Sequence, residues 1–165
     1  MRFKLNFELE NEKIPIQYRK SIISFIKQSL SEYNAEYYKK FYNDKDTTIK
    51  PITFAVFFHN PIFEEDKIII EDKRIELNIS IADYETSIIL YNAFNHQKNK
   101  KFSLDKNSWT LKNINMLLEK TIDSEEITIK FMSPLVVRSH SRDNDYYYSF
   151  NDKEFLDTLK MNVKE

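Results

Sequence analysis

Polar and apolar residues alternate strictly over residues 2–10, which predicts a half-buried β-strand. Its buried face would hold Phe3, Leu5, Phe7 and Leu9. From residue 17 the apolar positions recur every three or four residues, which is the period of an amphipathic helix. We therefore predict one helix over about 17–32 and a short second helix over about 35–42.

The same two periods predict further elements downstream. Strands are expected at 52–58, 67–70, 74–81 and 109–118, and a helix is expected from the N-cap residue Asp83 to about residue 95. We expect the strands 67–70 and 74–81 to pair as a hairpin, because only three polar residues separate them. The segment 96–106 is polar and basic and is predicted to be a loop.

This order of elements predicts the fold class. Residues 1–122 give β-α-β-β-α-β, so we predict an α+β protein with a ferredoxin-like domain of the type also found in RNA-recognition motifs. Residues 123–165 give a strand at 127–137 and then a helix that Asn151 or Asp152 would cap. We interpret this second part as the first strand and helix of a second, incomplete ferredoxin-like domain. About 40 residues cannot bury a core of their own, so this part must pack on the first domain or on a partner.

Composition excludes several classes of site. The 165 residues contain no glycine, which excludes the P-loop, the G-x-G-x-x-G dinucleotide turn and the nucleophile elbow. The chain has no cysteine, and its three histidines lack the spacing of metal ligands, so neither a metal site nor a cofactor is expected. No apolar run reaches the length of a membrane span. We expect a cytoplasmic protein that does not interact with membranes.

The net charge is −1, so binding to nucleic acid would need a local basic patch. The main basic run lies beside two aromatic residues, Phe102 and Trp109, and consists of Lys98, Lys100, Lys101 and Lys106. Lysines interleaved with aromatic residues suit an RNA surface that combines phosphate contacts with base stacking. The alternative interpretation is an ordinary solvated loop.

A second basic stretch contains Arg138, His140 and Arg142. We interpret it as a candidate for phosphate contacts, and the alternative is a polar turn. It precedes three consecutive tyrosines at 146–148, which more often belong to a strand than to a stacking platform.

Four segments together resemble one known family. They are Arg2–Leu5 in the first strand, Ile14-Pro15 before the helix, Lys50–Phe54, and above all Ile129–Arg138, with the sequence IKFMSPLVVR. In order and spacing they are similar to the Cas6-like CRISPR-associated endoribonucleases that process repeat RNA (pre-crRNA). The segment 152–162 resembles the helix that follows in that family.

The resemblance implies two ferredoxin-like domains that bind CRISPR repeat RNA and cut it without a metal, leaving a 2′,3′-cyclic phosphate. The family commonly places a histidine in the short second helix, where this chain has Tyr42. Lys27 and Lys50 fall near two further catalytic positions. Tyrosine is a poor general base near neutral pH, and the family's glycine-rich RNA-binding loop has no counterpart here. We therefore expect cleavage to be impaired or absent; if the chain does cut RNA, Lys27, Tyr42 and Lys50 are the predicted catalytic residues.

Members of the family usually exceed 200 residues, so we interpret the chain as C-terminally truncated, either as a fragment or as a naturally short relative. The expected partner is CRISPR repeat RNA. An alternative is a decoy or interaction module that binds other Cas subunits, or a second copy through the incomplete domain. Such a module would interfere with assembly of the effector complex, in the manner of an anti-CRISPR protein.

Overall fold

The computed structural model describes residues 1–42, 50–104, 106–119, 121–131, 135–140 and 144–164. The chain forms two units, Met1–Thr121 and Ile122–Glu165. As predicted, the fold is mixed α+β with antiparallel sheets. No helix among the described residues is long and apolar enough to cross a membrane.

The first unit contains three helices and eight strands within its described residues. They are β1 (Arg2–Leu9), β2 (Lys13–Pro15), α1 (Tyr18–Tyr33), α2 (Ala35–Phe41), β3 (Ile52–Phe58), β4 (Ile62–Phe63), β5 (Lys67–Ile69), β6 (Arg74–Ile81), α3 (Tyr84–Gln97), β7 (Lys101–Leu104) and β8 (Asn107–Leu117). Five of the strands form a sheet in the order β3-β6-β1-β8-β7, and three form a small sheet in the order β2-β5-β4.

The core lies between the five-stranded sheet and helices α1 and α3. The predicted apolar face of β1 is buried, and Phe7 packs edge-on against Phe25 of α1, with their ring centroids 5.0 Å apart. Phe25 also stacks on Phe94 of α3 at 5.9 Å. Asp83 caps α3 as predicted, because its Oδ2 accepts a hydrogen bond from the backbone N–H of Thr86 at 2.6 Å. The sheet and the two long helices therefore form one aromatic-rich core.

The predicted hairpin between 67–70 and 74–81 is wrong. Strand β5 pairs with β2 and β4, whereas β6 pairs with β1 and β3. The four residues between β5 and β6 redirect the chain from one sheet to the other, since the Lys73 carbonyl accepts a hydrogen bond from the Leu9 N–H of β1. Lys73 takes a left-handed conformation with φ 53°.

The predicted loop over 96–106 is also wrong in part. Helix α3 continues to Gln97, a turn follows, and Lys101–Leu104 forms the edge strand β7 against β8. The left-handed backbone in this turn belongs to Asn99, with φ 63°, and a third such residue is Asn60, with φ 44°. Without glycine, the described turns place asparagine and lysine where φ is positive.

The second unit contains a hairpin and one helix in its described residues: β9 (Val137–His140), β10 (Asp145–Tyr148) and α4 (Phe155–Lys164). The strand predicted at 127–137 is wrong, because the described residues 127–131 and 135–136 belong to no strand and β9 begins only at Val137. The Asp152 carboxylate accepts a hydrogen bond from the Ser149 N–H at 2.6 Å, upstream of α4.

Helix α4 is attached to β9 by the side chain of Asn162. Its Oδ1 accepts a hydrogen bond from the Arg138 backbone N–H at 3.2 Å, and its Nδ2 donates one to the Arg138 carbonyl at 3.1 Å. The amide thus supplies the same donor and acceptor that a neighbouring strand would offer.

Candidate functional site

Lys27, Tyr42 and Lys50 lie close together although 22 residues separate the first from the last. The Lys27 ammonium lies 4.9 Å from the centroid of the Tyr42 ring, and the Lys50 ammonium lies 5.9 Å from the same centroid. Lys50 also lies 5.3 Å from the ring of Phe41. Two cations therefore flank one tyrosine, at distances typical of cation–π contacts.

Three elements bring these side chains together. Lys27 lies on an exposed position of α1, Tyr42 follows the last residue of α2, and Lys50 lies just before β3. Helix α2 begins at the N-cap Asn34, whose Oδ1 accepts a hydrogen bond from the Tyr37 N–H at 2.8 Å. The Tyr37 hydroxyl is 2.6 Å from the hydroxyl of Thr86 on α3, which fixes α2 against the core. The position of Tyr42 is thus set by the fold.

The electrostatics of the cluster oppose ionisation of the phenol. Burial raises the pKa of Tyr42 above its ordinary value, and the neighbouring Tyr38 raises that pKa further. The two rings are 5.3 Å apart. Because an unperturbed tyrosine already titrates near pH 10, Tyr42 keeps its proton at neutral pH and is a weak acid as well as a weak base.

Sequence reasoning missed Tyr38. The signal that could have found it is its position four residues before Tyr42, because residues at that spacing share one face of a helix. Tyr38 is half-buried beside the cluster and raises the pKa of Tyr42.

The four lysines of the main basic run have different surroundings. Lys98 caps the end of α3, Lys100 lies 3.3 Å from a ring nitrogen of His96, and Lys101 forms an ion pair with Glu10 at 3.3 Å. Lys106 lies beyond β7, in the turn before β8.

The aromatic residues of that run are not available for stacking. Phe102 and Trp109 face the core and are 5% and 1% exposed. They are neighbours on β7 and β8, where alternate side chains point inward. The expectation of a surface in which lysines alternate with stacking rings is therefore wrong for this segment.

Arg138 and His140 lie on the same strand, β9, and share one carboxylate. The Asp145 carboxylate accepts hydrogen bonds from Arg138 Nη1 at 3.5 Å and from His140 Nδ1 at 2.6 Å. The hydrogen bond with His140 is the larger cause, and Arg138 a smaller one, of a lowered pKa at Asp145. Part of the positive charge predicted here is thus neutralised within the hairpin. Arg142 lies outside the described residues.

The Tyr146–Tyr148 cluster forms strand β10, as expected. The rings of Tyr146 and Tyr148 lie on the same side of the strand with centroids 4.8 Å apart. Tyr147 alternates to the other side, where it lines a groove with Arg138 and Asn162.

Comparison with known proteins shows which family and which solved structures the chain resembles. Residues 117–165 match the family described as CRISPR associated protein Cas6, C-terminal. The chain is Cas6-like. This confirms the resemblance that the segment 129–138 indicates in the sequence. No curated protein sequence matches this Cas6-like chain.

Solved structures extend the likeness to the first unit. A Cas6-related protein from Pyrococcus furiosus is 20% identical, with a TM-score of 0.65, and the match covers 98% of this chain and 67% of that one. A structure described as CRISPR associated protein Cas6 gives 20% identity, a TM-score of 0.67, and coverage of 99% and 68%. A RAMP protein described as binding different RNA substrates gives 18% identity, a TM-score of 0.70, and coverage of 98% and 68%.

At these identities the likeness shows a shared fold. The Cas6-like chain spans about two thirds of the length of the structures it matches. Residues 117–165 therefore match the family in sequence, and the solved structures show a shared fold over almost the whole chain.

Proposed function

We propose that this Cas6-like chain binds CRISPR repeat RNA and that its cleavage activity is impaired or absent. The observation that carries the proposal is the pair of lysines beside a protonated tyrosine: Lys27 and Lys50 flank Tyr42, whose pKa is raised. Two ammonium groups suit the charge of a phosphodiester. The description of one structural neighbour as an RNA-binding RAMP protein supports the choice of ligand.

The strand order supports a ferredoxin-like assignment for residues 1–122. Strands β1, β3, β6 and β8 with helices α1 and α3 follow each other as β-α-β-β-α-β along the chain. In the sheet the four strands lie in the order β3-β6-β1-β8, and α1 and α3 both contribute to the core on one face of that sheet. Residues 123–165 would then be part of a second such domain.

Cleavage of RNA without a metal needs three groups. A base takes the proton from the 2′-hydroxyl, the 2′-oxygen attacks the phosphorus, and an acid gives a proton to the leaving 5′-oxygen. A cation stabilises the charge on the phosphate oxygens as the bonds exchange. Lys27 and Lys50 can supply the cation, whereas Tyr42 with a raised pKa is poorly matched to either proton transfer near pH 7. Binding would therefore persist while the chemical step is slow.

The test is a substitution series at Tyr42. The probe is a labelled repeat RNA transcribed from the CRISPR array of the organism that carries the gene. We expect the unaltered chain to bind this RNA in a salt-dependent manner with slow or no cleavage. Tyr42→His introduces a group that titrates near pH 6.5 and should raise the yield of 2′,3′-cyclic phosphate at least about tenfold.

Tyr42→Phe is the matched control, because it removes only the hydroxyl and should leave RNA affinity unchanged. A double Lys27→Ala, Lys50→Ala variant should weaken binding, whereas Lys39→Ala on the exposed side of α2 should not. Rapid multiple turnover by the unaltered chain, abolished in Tyr42→Phe, would contradict impaired cleavage and make Tyr42 essential.

A second candidate is the interaction module, which a feature of the second unit favours. Among its described residues Val137 is buried, whereas many large apolar side chains are 41% to 79% exposed, including Phe131, Phe150 and Met161. Apolar surface of this kind is typical of a protein–protein interface. The partner would be a Cas subunit or a second copy of the chain.

Light scattering and binding to purified Cas subunits distinguish the two candidates. Absence of salt-dependent RNA binding, together with a stoichiometric complex with one defined subunit or a concentration-dependent dimer, would favour the interaction module. Salt-dependent RNA binding by a monomer would favour the first proposal.

A further inference from the structure

A second basic feature of the first unit includes Lys106 of the main basic run and three lysines that the sequence analysis does not single out. A groove of about 800 Å³ lies between the loop after β1, the start of β5 and the turn before β8. Ile14, Pro15 and Leu104 contribute its apolar surface. Its lysines are Lys13, Lys67, Lys73 and Lys106, and we call it the lysine groove. The volume falls in the range of about 300–1,000 Å³ that small-molecule sites occupy.

The lysine groove has a positive net charge, although the net charge of the whole chain is −1. Four ammonium groups and two carboxylates, those of Glu12 and Asp66, line it, which leaves a surplus of two positive charges. Lys67 is committed to an ion pair with Glu64 at 2.9 Å. Lys13 and Lys106 have no ion-pair partner among the described residues, so their charge is available to a ligand.

A pair of asparagines joins the backbone segments that carry the two unpaired lysines. Asn107 Nδ2 donates hydrogen bonds to the carbonyls of Asn11 and Lys13, at 2.9 and 2.8 Å. Asn11 Nδ2 donates to the carbonyl of Lys106 at 3.0 Å, and the Asn11 N–H donates to Asn107 Oδ1 at 3.0 Å. The backbones of Lys13 and Lys106 are thus fixed to the same clamp before any ligand arrives, which reduces the entropic cost of binding.

We propose that the lysine groove binds the phosphodiester backbone of single-stranded RNA, with Lys13 and Lys106 as the principal phosphate contacts. The inference rests on the proposed RNA-binding function and adds a second contact region, distinct from Lys27, Tyr42 and Lys50. Apolar surface from Ile14, Pro15 and Leu104 suits the face of an unpaired base or ribose, which a duplex would keep stacked inside. The groove therefore favours a single strand over a duplex.

The experiment measures fluorescence anisotropy of a labelled 12-nucleotide uridine-rich RNA over a series of salt concentrations. The test variant is Lys13→Gln with Lys106→Gln. Each lost phosphate contact lowers the salt slope by about 0.7 for a single strand, so two lost contacts reduce affinity roughly 25-fold at about 0.1 M salt and the slope by about 1.4.

The matched control removes the same charge elsewhere. Lys4→Gln with Lys112→Gln changes two lysines on the exposed face of the five-stranded sheet, where they pair with Glu76 and Glu8 at 2.9 and 2.8 Å. This control should alter affinity less than about threefold and leave the slope unchanged. Circular dichroism and thermal unfolding verify that both double variants are folded.

The outcomes separate this inference from the proposed function. If both double variants retain salt-dependent RNA binding, the assignment of RNA binding to the lysine groove is wrong, and the proposed function stands. Equal losses in both would mean that only total charge matters, which also overturns the groove. Absence of RNA binding by the unaltered chain would reject both proposals. Tripolyphosphate that binds more tightly than the RNA, and does so through Lys13 and Lys106, would identify a site for free polyphosphate and overturn the assignment to RNA.

Discussion

Replacing Asn107 by alanine removes four hydrogen bonds at once. The side chain accepts from the N–H groups of Asn11 and Ser108, at 3.0 and 2.8 Å, and donates to the carbonyls of Asn11 and Lys13, at 2.9 and 2.8 Å. These groups are near the surface, so water replaces part of each lost bond and the low end of the usual net value, about 0.5 kcal/mol per bond, applies. We expect the free energy of unfolding of the first unit to fall by about 2 kcal/mol.

Urea unfolding followed by tryptophan fluorescence measures this loss in the first unit. Trp109 is the only tryptophan in the chain, is 1% exposed, and lies two residues from Asn107. With a typical slope for a small domain, 2 kcal/mol lowers the urea midpoint by roughly 1 M. The variant Asn107→Asp keeps both acceptor bonds but loses both donors, so its urea midpoint should lie between those of Asn107→Ala and the unaltered chain. Because the carboxylate repels the two carbonyls, its midpoint should lie at the Asn107→Ala end of that range.

Asn113→Ala is the control for asparagine removal on the same strand. Asn113 is exposed and its side chain forms no hydrogen bond with another described residue, so this change should cost less than about 0.5 kcal/mol. An Asn107→Ala variant as stable as the unaltered chain, or an equal loss in Asn113→Ala, would refute the reasoning that the clamp stabilises this part of the fold.

Three further predictions concern the core, a helix cap and the second unit. Phe25→Ala should cost about 3–5 kcal/mol in the same urea assay, because the ring packs against Phe7, Phe94 and Phe102. Hydrogen bonds from the first turn of α3 lower the pKa of Asp83. The charged carboxylate therefore stabilises the fold at pH values above the ordinary pKa of aspartate, and this stabilisation is lost as the pH falls through the lowered pKa. The thermal midpoint of Asp83→Asn should therefore fall less between pH 5 and pH 2 than that of the unaltered chain. Asn162→Ala should accelerate amide hydrogen exchange at Arg138 about tenfold; unchanged exchange would show that α4 does not protect β9.

Elements with a long, clear apolar period were predictable from the sequence. Strand β3 and helices α1 and α2 begin and end within one residue of their predicted bounds, because each has a regular apolar face that packs against the core. The helix after Asp83 was also predicted, because its cap is a local signal that acts within three residues.

Strand pairing was less predictable than strand position. The pattern of β5 indicates an extended segment with Ile68 buried, but a two-residue period does not say which strand provides the hydrogen bonds. Strand β7 is short and lies within a basic run, so the lysines around it obscured its alternation of polar and apolar residues. The apolar segment 127–131 satisfies the sequence pattern of a strand and yet belongs to none, because an extended segment becomes a strand only when a neighbour pairs with it.

The candidate site was also predictable only in part. The proximity of Lys27, Tyr42 and Lys50 followed from the family resemblance and could not be obtained from spacing, since three separate elements carry them. Of the lysine groove, sequence reasoning found only Lys106, because the other lysines come from different loops and strands. The sequence contains no signal that Asn11 and Asn107 bring these segments together.

Three turns with positive φ are formed by Asn60, Lys73 and Asn99, and the whole sequence contains no glycine. Glycine samples more backbone conformations than any other residue before folding, so a polypeptide without it has a stiffer denatured ensemble. Folding then loses less backbone entropy per residue than in an average sequence of this length. This smaller loss of backbone entropy offsets the strain of the left-handed asparagine and lysine residues. A search for stabilising substitutions should begin at Lys73, because a lysine side chain makes the left-handed conformation less favourable than asparagine does.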